Sequence, residues 1–288
     1  MRFQHSIKTL CRVLKVNRST YYKHFSSAES TRFKENKKIK SYILCLHGKY
    51  KKRLGVKKMT HMLQSEYGIK ISTGRVRRLM RSMHLPVLFS KKAPTYSDES
   101  SKKHYHNLLN RNFNPSLPNL IWVSDITYIR VGNKWYYLCV VIDLFSRKIL
   151  SWEISQHPNS DLVISTFKKA YSKRNFPKGL MFHSDRGSQY TSCAFRKILD
   201  EFEVVQSFSG KGCPYDNAVA ESFFKFLKLE ETNRKTYSNI DDLKISLFEY
   251  IDGFYNPKRP HSANNFISPN NFESDYFKKN FLNLCPLY

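Results

Sequence analysis

Across 288 residues, 49 lysines and arginines stand against 23 acids, a formal charge of +26; a chain that far from neutrality suits a polyanionic partner, nucleic acid before any other. No apolar run is long enough to span a bilayer, the opening MRFQHSIKTLCRVLKV lacks a signal-peptide core, and no lipidation motif is present, which disfavours membrane attachment and export. Six scattered cysteines without a C-x-x-C pair argue against structural zinc and for a reduced, cytoplasmic setting.

Residues 1–30 outline a helix-turn-helix segment. Ile7, Leu10, Val13 and Leu14 recur at helical spacing, Lys15-Val16-Asn17 makes a turn, and a second helix begins at Arg18, with Asn17 or Ser19 able to cap it. Residues 31–86 read as a helical DNA-binding domain. Ile39 and Ile43 mark one helix, Val56, Met59, Met62 and Leu63 a second; Gly68 breaks the chain and Ser72 can cap a third. In that third helix Val76, Leu79, Met80 and Met83 form an inward stripe, leaving Arg75, Arg77, Arg78 and Arg81 on the other faces. An arginine-faced helix after a helix and turn suits phosphate and major-groove contact; a merely solvated face is the bland alternative, which the overall charge disfavours. Residues 87–118 lose periodicity and read as a linker, and His104 and His106, with no cysteine pair beside them, read as loop residues.

From residue 119 the pattern becomes β-type. One strand is expected over Ile121–Val131, a hairpin turn at Gly132-Asn133, a nearly continuous apolar strand over Lys134–Asp143, and a third over 148–154. A helix from about Asp161, a short strand at 180–183, a helix at 194–202, a brief strand at 204–206, a loop over 207–212, a helix carrying Glu221, and a last helix at 241–250 complete the core. Three meandering strands followed by alternating helices and strands is the order of an α/β, ribonuclease-H-like fold, a mixed five-stranded sheet with helices, here placed at 119–275 with a tail at 276–288.

Three acids within this core carry the chemistry. Asp125 interrupts an apolar strand, Asp185 follows a short apolar run, and Glu221 lies on a helix, with thirty-five residues between it and Asp185. In the expected topology the first strand is central, the fourth is its neighbour, and the later helix packs across their ends. A half-buried aspartate in a strand is costly unless its charge is compensated. All-oxygen ligands favour Mg²⁺ or Mn²⁺, and a pair of such ions clamps both oxygens of a phosphodiester displacement. The competing acids have simpler explanations: Asp143 a turn, Asp216 helix capping, Glu230 and Glu231 solvation. On the Glu221 helix, Ala220, Phe223, Phe224 and Leu227 form an apolar face, while Lys225 and Lys228 follow Glu221 at i+4 and i+7, placed to reach phosphates beside the scissile bond; a surface Glu–Lys pair is the alternative.

The strings VSDITYI, IDLFSRKI, HSDRGSQY, YDNAVAESFFKFLK and YNPKRPHS resemble the second-frame (OrfB) protein of the IS-three family of bacterial insertion sequences, whose catalytic core is similar to retroviral integrases. The resemblance covers 120–262 and, more loosely, 1–86. It implies a DDE-type transposase that cuts insertion-sequence ends and transfers strands, with Asp125, Asp185 and Glu221 as metal ligands and catalytic residues, and two Mg²⁺ or Mn²⁺ ions as cofactors. It also implies DNA and a homo-oligomer as partners, an upstream-frame (OrfA-type) protein or fusion, and a bacterial cytoplasmic, nucleoid-associated location. Where the family commonly has a Leu-Gly-Tyr-like turn after Arg259-Pro260-His261-Ser262, this chain has Ala263-Asn264-Asn265-Phe266, and asparagine can supply the left-handed conformation. Two rivals remain at this level: a nuclease of the same fold, and a DNA-binding regulator inactive without the upstream fusion.

Overall fold

The computed structural model describes residues 5–25, 29–85 and 105–282, and the chain divides into two compact units, Met1–Val87 and Leu88–Tyr288. The first is all helical: α1 (Ile7–Val13), α2 (Arg18–Phe25), α3 (Thr31–Lys49), α4 (Val56–Tyr67) and α5 (Thr73–Ser82). Its helix starts follow the expected chemistry. Asn17 Oδ1 accepts from the Ser19 N–H, Ser30 from that of Phe33, and Ser72 from that of Arg75. Each such cap is worth about 1 kcal/mol. Gly68 ends α4 in the left-handed conformation, φ +66°, where a side chain would be strained. Ile43 and Leu46 of α3, Met59 and Leu63 of α4, and Val76 and Met80 of α5 are fully buried among one another's helices.

The second unit is built on β1 (Ile121–Val131), β2 (Lys134–Asp143), β3 (Ile149–Ser155), β4 (Met181–Ser184) and β5 (Val205–Phe208), in the order β3-β2-β1-β4-β5. The first three strands are antiparallel and β4 and β5 run parallel to β1, so the sheet is mixed and β1 is central. Between and after the strands come α6 (Ser160–Lys173), α7 (Ser188–Thr191), α8 (Cys193–Glu201) and α9 (Ala218–Glu230). Trp122 of β1, Phe167 of α6, Phe182 of β4 and Phe195 of α8 meet edge to face in the main core. Aromatic pairs in that geometry add to what their buried area contributes.

The chain departs from its expected course after α10 (Ile240–Tyr250). That helix passes directly into a π-helical turn, Ile251–Tyr255, then α11 (Asn256–Lys258) and α12 (Pro269–Leu282), which runs on through residues the sequence suggested were tail. The reason lies in polar side chains that stand in for backbone. Asn256 exchanges two 3.0 Å hydrogen bonds with the N–H and carbonyl of Ile149 at the start of β3, and Asn264 donates to the Ser146 carbonyl. Hydrophobic periodicity cannot reveal such bonds. Asn265 adopts the left-handed conformation at φ +53°, as the sequence suggested for this turn. Residues 207 and 208, expected in a loop, belong to β5.

Candidate active site

Strand register brings the first two acids together. Val123 of β1 pairs with His183 of β4 in parallel. Side chains alternate with period two, so two residues onward Asp125 and Asp185 emerge on a common side. Neighbouring strands lie about 4.8 Å apart, and both carboxylates line one cavity of about 220 Å³ with Tyr128, Tyr137, Gln189 and Tyr190. Asp125 Oδ1 accepts from the Ile126 N–H at 2.8 Å, and Asp185 Oδ1 from the Gly187 N–H at 3.0 Å. Gly187 allows that approach: a Cβ there would lie 3.0 Å from Asp185 Oδ1 and 2.6 Å from Gln189 Oε1.

The electrostatics are those of uncompensated negative charge. Burial, then the Asp185 carboxylate and more weakly Glu221, push the Asp125 carboxyl up to about 7, against the opposing Ile126 N–H and Lys228. Burial also raises Asp185 and Glu221 above their ordinary values. Glu221 itself is exposed on the first turn of α9 and is not part of the cavity wall. Among the described residues no three acid, histidine or cysteine side chains stand close enough to hold a metal ion. The all-oxygen donors Asp125 and Asp185 fit one side of a divalent-cation site, because a cation would offset both the burial and the carboxylate repulsion that raise Asp125.

Comparison with known proteins follows the same division of the chain. A family model described as "Integrase core domain" matches residues 115–214 and a second of the same description 203–269, while "HTH-like domain" matches 34–93. Transposase InsF for insertion sequence IS3A of Escherichia coli is 34% identical over 277 residues, covering 94% of this chain and 95% of its own. The chain belongs to the IS-three family of insertion-sequence transposases. A transposase for insertion sequence element IS904 of Lactococcus lactis is 37% identical over 83% of this chain and 94% of its own. Among solved structures, an intasome of simian T-cell lymphotropic virus matches with a TM-score of 0.45 and 17% identity over 80% of this chain and 74% of that one.

The remaining predicted residues of this family member fall in two groups. Lys225 is exposed on α9; Lys228 is half-buried, its Nζ 4.6 Å above the Tyr128 ring, where burial lowers its pKa against the pull of Asp125. It is therefore part of the Asp125 environment as well as a neighbour of Glu221 on the helix. On α5, Arg77, Arg78 and Arg81 are exposed. Arg75 is different: its guanidinium grips both Glu35 oxygens at 2.8 and 3.2 Å and reaches Asn36 Oδ1. Arg75 and Arg78 border a basic cleft of about 450 Å³ with Arg32, Lys37 and Lys40.

Two expectations about the competing acids are overturned. Glu230 and Glu231 are buried, not solvated. Glu230 accepts from Arg259 Nε and Nη2 at 2.8 and 2.7 Å and from the Tyr250 hydroxyl at 2.9 Å, and Glu231 accepts from Ser246. Burial alone would lower the Arg259 pKa, but the Glu230 charge and hydrogen bonds outweigh it and the net shift is upward. Asp216 does not cap α9; it receives Arg111 Nε, Asn107 Nδ2 and the Gly210 N–H at 2.7–2.8 Å, tying three segments together. Asp143 holds its turn as expected, accepting the N–H groups of Asn119 and Phe145 at 2.8 Å. No motif of the sequence assigns a role to Tyr128 or Trp135. Alternation marks them: Tyr128 and Arg130 share a face of β1, and register places Trp135 opposite Arg130 on it.

Proposed function

We propose that this transposase cuts DNA at insertion-sequence ends and joins the freed 3′ hydroxyl to a target strand, with Asp125, Asp185 and Glu221 as its catalytic, metal-holding carboxylates. The observation that carries the reading is the common phase of Asp125 and Asp185 on adjacent parallel strands, one cavity shared between them. Mg²⁺ or Mn²⁺, two ions when bound, would neutralise charge on the phosphodiester and sharpen the attacking oxygen as a nucleophile. Asp125 and Asp185 supply the rigid half of that set, fixed by the Ile126 and Gly187 N–H groups; Glu221, outside their cavity wall, would complete it from α9 by moving toward them. Lys225 and Lys228 lie one and two turns along the same helix, where their charges offset those of phosphates entering beside the carboxylates. Both cutting and joining are in-line displacements at phosphorus, so positioning and charge compensation suffice and no covalent protein–DNA bond is required.

The helical unit is assigned to recognition of the element's ends. Arg77, Arg78 and Arg81 reach phosphates directly, whereas Arg75 would first have to leave Glu35 and Asn36. Two ends must be paired, which calls for a homo-oligomer, and an OrfA-type partner or fusion remains part of the proposal. The setting is the bacterial cytoplasm, on the nucleoid; among the described residues no helix is long and apolar enough to cross a membrane.

The test supplies a pre-cut end and a target duplex with Mg²⁺. Joined product supports transposition; hydrolysis without joining would reassign the chain to the nuclease class. The regulator reading draws on the position of Glu221 outside the cavity wall. It predicts that Asp185→Asn leaves the effect of the chain in cells unchanged, where the transposase reading requires that effect to vanish while DNA binding persists.

A further inference from the structure

Tyr128 and Trp135 stand at the outer end of the β1–β2 hairpin, 57% and 51% exposed. Their rings meet edge to face, with centroids 5.2 Å apart at 86°. Tyr128 is held on another side by Lys228 Nζ, so the pair is braced rather than loose. Beside them opens a groove of about 650 Å³ bordered by Arg130, Lys228 and Lys235, within the roughly 300–1,000 Å³ of ordinary ligand clefts. Among the described residues that line it, none is acidic. Folding alone gives no reason to leave two large aromatics so uncovered amid cations. Tyr128 also borders the carboxylate cavity, so the groove and the cavity share one bordering residue.

We propose that Trp135, braced by Tyr128, is a stacking platform for an unpaired DNA base next to the phosphate held at the carboxylates. The proposal rests on the transposase reading above and extends it to a strand-separated stretch of the substrate. Every base has a π face, so an aromatic platform accepts any base, but only once pairing and stacking in the duplex have been opened. The cationic border suits the flanking phosphates, with Lys228 serving both neighbouring sites. A paired duplex would meet the same cations without using the rings.

The experiment uses the full chain, with Ca²⁺ in place of Mg²⁺ so that a cation can bridge phosphate and carboxylates while no strand is cut, and a short duplex that is either blunt or carries an oligo-dT tail containing a fluorescent base analogue. Anisotropy reports affinity, and quenching of the analogue reports stacking. The tailed duplex is expected to bind about tenfold more tightly than the blunt one, with the analogue quenched. Trp135→Ala should abolish the preference and the quenching while blunt-duplex affinity stays the same; Trp135→Phe should keep most of both. Trp135→Ala retaining the wild-type preference, or weakening tailed and blunt duplexes equally, would overturn the platform. The strand-joining assay separates the two failures. A chain that joins ends yet shows no tail preference loses the platform alone, and one that binds neither duplex loses both readings.

Discussion

Replacing Arg259 by alanine should destabilise the catalytic unit far more than an ordinary surface change. Arg259 and Glu230 are each about 2% exposed and joined by two hydrogen bonds, and the guanidinium also lies 4.3 Å from the Phe226 ring centroid. Removing one partner of a buried ion pair leaves an uncompensated charge and costs roughly 3–5 kcal/mol. The Tyr250 hydroxyl still donates to Glu230 in the variant, which argues for the lower end. In a unit of this size that lowers the melting temperature by roughly 6–20 °C. Urea unfolding followed by tryptophan emission suits the question, because Trp122, Trp135 and Trp152 all lie in this unit. A second substitution, Glu230→Gln, removes the orphaned charge, so Arg259→Ala/Glu230→Gln should be more stable than Arg259→Ala alone by about 1 kcal/mol or more. A loss below about 1 kcal/mol for the single variant, or no recovery in the double, would show that the pair is not what anchors α9.

Other outcomes follow from the site. Asn or Gln at Asp125, Asp185 or Glu221 should each abolish strand joining and leave end binding within about twofold, since those carboxylates repel DNA; equal loss of binding would make them structural. With the Asp125 carboxyl at about 7, a cation must displace a proton below that pH. Mn²⁺ affinity by calorimetry should therefore fall about tenfold per pH unit below 7 and level off above it, whereas a flat profile contradicts the assigned ligand. Burial lowers His183 to about 4 from 6.5, its ring held by Ser207 and Ser209 at 2.9 and 3.1 Å. A depressed histidine contributes full stability above pH 6.5 and loses it as pH falls toward 4, by roughly 3 kcal/mol. Unfolding free energies of the wild type and His183→Asn should converge over that window; parallel curves would refute the assignment. Gly187→Ala should cut joining activity with little change in melting temperature, because its Cβ crowds Asp185 and Gln189 at the surface; full activity would mean that the N–H contact does not matter.

What could be read in the sequence was what repeats. The apolar runs of β1 and β2, the stripe of Val76, Leu79 and Met80, and the caps at Asn17 and Ser72 are local signals, and the structure follows them to within a residue or two. Asp125 stood out because it interrupts an apolar strand, and the structure sets it beside Asp185 in one cavity, while Glu221 lies outside that wall. Glu230 was not legible, since its partner Arg259 lies 29 positions away and nothing near Glu230 hints at it. Asp216 failed for the same reason: its position ahead of a helix mimics a cap, while Arg111 and Asn107 claim it from more than a hundred positions upstream. The stretch after Tyr250 was missed because Asn256 and Asn264 hold it through side-chain bonds to backbone that leave no periodic trace.

The parallel pairing of β1 with β4 determines which changes of length the carboxylate pair can survive. An inserted residue between Ile121 and Asp125, or between Met181 and Asp185, would rotate one carboxylate to the opposite side of the sheet and empty the site at a stroke. Insertions in the connections at 156–159 or 174–179 would leave both pointing as they do. The connections within the fifty-nine residues between the two aspartates are thus free to drift in length, provided that the few residues inside each strand keep their parity.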